Sequence, residues 1–331
     1  MNFFLKRISS GFKLFGSIIL VFIGVLVLSK ANAQITLPFH RQHNFRAPNS
    51  FFQNDTLPNF KKSRYVTGIA LGGYSLSMLY LGTSWYANED LGSFHFFDDS
   101  KQWLQMDKVG HVYGAYYAGN NMISLYKWAG QPKKKAILMG GTMGFLAMTS
   151  IEVFDGFGED WGFSWSDVGA NFMGTALIMG NQALWNENRI SLKYSYRPSF
   201  FVQNDSLQSL FGSTPLEWIL KDYNGQTTWM SFRVHSFLPE GKFKEIYPRW
   251  LNLAVGYGGE GMTGGYGDPA RADRIAREEY RQYYLALDVD LANIKTRSGA
   301  LRTLFQMLNM VRLPLPAVRY DRNGLAWRWW Q

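Results

Sequence analysis

Cysteine is absent from the 331 residues. That excludes a disulfide framework, a thiolate metal site, a cysteine nucleophile and a lipid-modified cysteine. Charge is scarce as well: 18% of the residues are Asp, Glu, Lys or Arg, against about 25% in an ordinary soluble domain. The five histidines are dispersed, which leaves haem and copper ligation without support. There is no internal repeat and no low-complexity tract. A mean hydropathy of −0.18 is too low for a transporter made of spans from end to end. What the chain has in plenty is apolar and aromatic material, 47% and 17% of its residues. A disordered tail protein is thereby excluded and a sizeable core can form.

Residues 1–33 read as an export signal. Lys6, Arg7 and Lys13 make a basic start, Leu14 to Leu28 is almost wholly apolar, and Ala31-Asn32-Ala33 is a cleavage site that leaves Gln34 first. An uncleaved anchor is the rival reading, but the apolar run is short for a span. These 33 residues hold four basic groups and no acid, so removing them takes the net charge from +9 to +5. Nucleic acid is excluded as a partner on that balance and by export, whereas membrane or envelope components fit. The expected location is the periplasm or the outer membrane.

The rest divides by pattern into an α+β fold. Residues 34–64 are a polar lead-in, 65–187 a helical bundle and 188–331 a β-rich domain. Four helices are expected over Val66–Ala87, Val109–Tyr126, Ala136–Ile151 and Val168–Asn186. All four are dotted with small residues, glycine and alanine above all, which permit close helix contact. Insertion in the inner membrane is the weaker reading. Two runs are shorter than the roughly 20 residues a span needs, and the Lys127–Lys135 loop would face outward, against the positive-inside rule. Beyond residue 188, alternation at Ile190–Tyr196, Met230–Val234, Leu251–Tyr257 and Tyr283–Leu291 predicts an antiparallel sheet or partial barrel of about six strands. Asn224-Gly225 and Asn323-Gly324 are hairpin turns in form, Gly256–Gly267 reads as a mobile loop, and Leu301–Val311 as an amphipathic helix.

Chemistry concentrates in three clusters. Asp107-Lys108-x-x-His111 opens the second helix, Glu152-x-x-Asp155-Gly156 closes the third, and Ser164-x-x-Asp167-x-x-x-Asn171 opens the fourth. Spacings of three and four keep each cluster on one helix face. In an up-and-down bundle with short loops all three meet at one end, joined by the acidic linker that carries Asp98 and Asp99. Each piece also has a plain structural role: Asp107 complements a helix N-terminus, Ser164 caps Asp167, Asp155-Gly156 is a left-handed helix exit, and His111 is a bonded core histidine.

Together the runs DKVGHVYGAYYAG and SIEVFDGFGEDWGFSWSDVGANFMGT resemble the YfiM-type family of envelope proteins of unknown function, over roughly residues 65–187. A looser similarity is to VanZ-like membrane proteins. By that resemblance Asp107, Lys108, His111, Glu152, Asp155, Asp167, Asn171 and Gly174 are the matching positions; no activity comes with it. Some members resemble lipoproteins, from which a chain without cysteine departs.

Two classes of function follow. The favoured one is a noncatalytic envelope component whose polar cluster fixes the bundle or binds a partner. The other is an envelope hydrolase or lipid- or glycan-modifying enzyme. In it Glu152 or Asp155 activates water, His111 shuttles a proton and Lys108 stabilises an anion. A hard divalent cation on Glu152, Asp155 and Asp167 is its variant, and the sole cofactor the donor set suggests.

Overall fold

Glycine sets the spacing of the helices. Helix α2 (Met106–Trp128) and helix α3 (Lys133–Asp155) approach so closely that a Cβ on Gly140 would stand 2.4 Å from the Ile123 nitrogen. One on Gly144 would stand 2.4 Å from that of Gly119. Helix α4 (Trp165–Leu184) presses Gly174 onto the Val112 carbonyl of α2, 2.1 Å from where its Cβ would be. Tyr116, Ile123, Ile137 and Ile178 fill the space between them. Helix α1 (Phe60–Tyr80) lies outside this trio, held by Tyr74 Oη donating to Ser150 Oγ at 3.0 Å. It starts within the expected lead-in because Asn59 Oδ1 accepts from the Lys62 amide at 3.1 Å and so caps it. Gly68, Gly72 and Gly73 meet nothing, and the structure gives no packing reason for them.

This computed structural model describes residues 57–80, 92–159, 161–203, 208–265 and 279–329, all within the unit Phe52–Gln331. The expected export signal and the lead-in as far as residue 56 lie outside the described residues, as does the end of the first predicted helix.

After α4 the chain forms one antiparallel, open, six-stranded sheet in sequence order: β1 (Ile190–Tyr196), β2 (Gln226–Phe232), β3 (Leu251–Glu260), β4 (Tyr280–Val289), β5 (Ala317–Asp321) and β6 (Gly324–Arg328). The sheet and helices make the α+β fold expected from pattern. Asn323-Gly324 belongs to the β5–β6 hairpin, with Gly324 at φ +92. Asn224-Gly225 joins no two strands. It leads into β2, and Asn224 instead clasps Met262, accepting from its amide at 2.8 Å and donating to its carbonyl at 2.9 Å. Part of the glycine-rich stretch is strand: Gly256, Gly258 and Gly259 lie in β3, and Gly256 is needed because the Trp229 indole lies 2.7 Å from where a Cβ would be.

A bare strand edge is an aggregation hazard, and the outer edge of β1 is covered. Met310 O accepts from the Tyr194 amide, and Tyr194 O from the Arg312 amide, both at 2.9 Å. Three tyrosines of α2 reach the same region: Tyr116 donates to Ile190 O, Tyr117 to Leu192 O and Tyr113 to Met310 O. Helices and sheet are thus joined along β1. An amphipathic helix, α5 (Gly299–Leu308), precedes β5.

Candidate functional site

Three consecutive non-glycine residues, Trp103, Leu104 and Gln105, adopt φ of 50, 50 and 63 just before α2. Left-handed backbone at such residues costs about 1–3 kcal/mol each and persists only where the surroundings impose it. Here the Trp103 amide donates to Gly265 O at 2.9 Å, Tyr257 Oη donates to Leu104 O, and the Gln105 side-chain amide donates to Ser100 O at 3.1 Å. This turn delivers Asp107, Lys108 and His111 to the end of the bundle where α3 finishes and α4 starts. Ser164 caps α4 by accepting from the Asp167 amide at 3.1 Å.

Lys108 lies at the centre of a carboxylate cage. Its ammonium is 2.6 Å from Asp99 Oδ2, 3.0 Å from Asp107 Oδ2 and 3.0 Å from Asp167 Oδ1. The hydrogen bond to Asp167 goes to Oδ2 at 3.1 Å; Oδ1, though within ion-pair reach, accepts no well-directed one. Burial pulls the Lys108 proton affinity down, but the charges of Asp107, Asp99 and Asp167 outweigh it and hold the amine protonated. Asp99 also accepts from Ser164 Oγ at 2.6 Å and Ser166 Oγ at 2.8 Å. Against its burial, the bonds from Lys108 and Ser164 keep it below the ordinary carboxylate range.

His111 separates this cage from a fourth carboxyl, that of Glu152. Its Nδ1 is 3.2 Å from Asn171 Oδ1 and 3.3 Å from Glu152 Oε1. Its Nε2 faces Asp107 Oδ1 at 3.7 Å and Asp167 Oδ1 at 4.0 Å. Glu152 is 1% exposed. Burial, then the charges of Asp167, Asp155, Asp107 and Asp99, push its pKa up to about 10, so it is a neutral acid at pH 7. The same burial and the Asp107 charge raise Asp167 to about 7, with His111 and Lys108 opposing.

The structure therefore gathers Asp107, Lys108, His111, Glu152, Asp167 and Asn171, with Gly174 as the contact that seats α4 on α2. Asp155, at the end of α3, acts on Glu152 and Tyr223 through its charge. Gly156 leaves α3 with φ −56, not the left-handed exit expected. Its lack of a side chain admits the Phe94 ring, 2.4 Å from where a Cβ would be. Among the described residues, one group of potential metal-ligating atoms comprises one each from Asp107, His111 and Asp167, all within 4.8 Å of one another. It shares only Asp167 with the carboxylate trio read from the sequence. Sequence reading missed Tyr223, whose hydroxyl donates to Asp107 Oδ1 at 3.1 Å from the turn before β2. No local motif marks it.

Comparison with known proteins adds one finding. Residues 94–181 match a family model described as "Predicted periplasmic lipoprotein (DUF2279)". The matched stretch runs from the acidic linker into α4 and contains every site residue above except Tyr223. No curated protein and no solved structure matches the chain. The description names a place and no activity, and its lipid would find no thiol among these 331 residues.

Proposed function

We propose that this is a noncatalytic component of the cell envelope, in which the polar cluster locks α2, α3, α4 and the turn before β2 into one geometry. The observation that carries the reading is the engagement of the groups that catalysis would need. Lys108 is surrounded by three carboxylates, which engage its ammonium in place of an anionic substrate. Glu152 is sealed and neutral, and so unfit as a base toward bulk substrate. A connected buried network of this kind specifies one arrangement of its helices. The test is complementation of a deletion strain with Glu152→Gln and His111→Ala, alongside protein abundance. Phenotypes that track abundance are expected. Full abundance with function lost would overturn the noncatalytic reading.

A second reading, a metal-dependent envelope hydrolase, draws on one specific observation. His111 Nε2 stands 3.7 Å from Asp107 Oδ1 and 4.0 Å from Asp167 Oδ1. Asp99, Asp107 and Asp167 set against Lys108 leave a surplus of negative charge, and a divalent cation at Asp107, His111 and Asp167 would balance it. Metal analysis of the purified protein, with Asp107→Asn beside it, decides. One equivalent lost in the variant supports this reading, and none in either removes it.

A further inference from the structure

The inner face of the sheet joins an apolar cluster, Trp229, Ala254, Tyr284, Ala286 and Ala317, to the buried polar residues Ser191, Lys193, Ser231, Asn252 and Asp288. There Lys193 Nζ is 2.8 Å from Asp288 Oδ2, Ser231 Oγ donates to Asp288 at 2.7 Å, and Asn252 donates to Ser231 at 2.9 Å. The alternate residues, pointing outward across β3 to β6, are Leu253, Val255, Tyr283, Leu285, Leu287, Val318, Tyr320 and Trp327, and every one is exposed. Soluble sheets place their apolar residues on the core side, and an exposed apolar face this wide marks a contact surface.

Charge and aromatic placement say what covers it. At the end of the sheet where β3 starts and β4 finishes, residues 239–249 and 294–303 carry six basic side chains against two acidic ones. Within and beside them Phe243, Ile246 and Trp250 stand exposed, Ile246 by 81%. Helix α5 adds exposed Leu301, Leu304, Met307 and Leu308. Lysine and arginine beside bulky apolar and tryptophan side chains suit the headgroup layer of an anionic membrane, where basic residues meet the lipid charge and indoles sit at the boundary. A spanning wall is a poor fit, because among the described residues the far edge of β6 pairs with no strand and open edges do not occur in hydrocarbon. The polar cluster lies at the opposite end of β3, where Tyr223 and Met262 are found, a strand of ten residues away.

We propose that the outward face of the sheet, with α5 and the Lys242–Trp250 segment at its basic end, seats flat on an anionic lipid bilayer.

The absence of native cysteine makes any introduced one unique. Leu285→Cys, and Ser213→Cys on an exposed turn of the β1–β2 connection, are each labelled with a polarity-sensitive fluorophore in the exported full chain. The labelled proteins are mixed with vesicles of phosphatidylethanolamine and phosphatidylglycerol at 3:1, a composition chosen for the experiment in line with anionic-surface binding. A blue shift at position 285 and none at 213 is expected. The shift should shrink several-fold in high salt, in neutral phosphatidylcholine vesicles, and in Lys242→Glu/Lys295→Glu. Circular dichroism confirms that each variant is folded. No lipid-dependent shift at 285 overturns the proposal. So does a shift already present without lipid in a chain that sediments as a dimer, which assigns the face to a second copy.

Discussion

Glu152 makes the folded protein sensitive to alkali. Its carboxyl is raised from 4.5 to about 10, so the native state keeps a proton that the unfolded chain releases just above pH 4.5. With more protons bound in the native state, stability falls as pH rises through that window. The sign is opposite to that of a salt-bridged carboxylate. Glu152→Gln keeps the shape and a neutral side chain at every pH, so its stability relative to wild type should improve steadily upward from pH 5. One proton over three pH units limits the gain between pH 5 and pH 8 to at most about 4 kcal/mol. Urea melts at the two values, with a chelator present, measure it. Equal pH slopes in the two proteins would show that Glu152 does not carry the proton. At this scale much of the site was legible. Spacing within each helix brought His111, Glu152 and Asp167 to one end, while Tyr223 was hidden, because it arrives from 116 residues away.

Within the helices, glycine was read correctly as a sign of close packing, but only some glycines do that work. Gly140, Gly144 and Gly174 face backbone, whereas Gly68, Gly72 and Gly73 face open space, and sequence offers no way to sort them. Gly144→Ala should therefore force α2 and α3 apart and destabilise the protein by about 1–3 kcal/mol, the usual cost of overpacking. Gly72→Ala should stabilise by about 0.5–1 kcal/mol, since it only improves helix propensity. Thermal melts of the pair check both signs. Helix ends were read short for a physical reason. Charge-free runs mark the helices in the sequence, yet Lys133 to Lys135 occupy the first turn of α3 and Glu152 to Asp155 its last. The left-handed turn at residues 103–105 could not be foreseen, because tertiary contacts impose it on side chains that do not favour it.

Taken whole, the molecule joins its two halves by the edge of β1, so the helices and the sheet should unfold together. Period-two alternation gave the strands without revealing which face is inner, because either assignment fits the pattern. The buried Lys193–Asp288 pair and the Trp229–Tyr284 cluster beside it identify their side as the interior. On the helical side, Tyr116 and Tyr117 of α2 donate to the carbonyls of Ile190 and Leu192, two groups that β2 does not satisfy. Replacing both tyrosines with phenylalanine takes the Tyr117 donor from Leu192 O, whereas Ile190 O keeps the Asn181 side-chain amide at 2.8 Å, and the rings still pack. At roughly 1–2 kcal/mol for the carbonyl left unpaired and less for the one that keeps a donor, the double variant should lose about 1–3 kcal/mol. Because the bonds lie on the seam, the loss should appear equally in both halves. Helical circular dichroism and hydrogen exchange of the β2, β3 and β4 amides should shift by the same free energy and remain coincident, as a single cooperative transition requires. If the β-strand amides kept wild-type protection while the helical signal fell, the halves would be separate folding units and β1 would belong to the sheet alone.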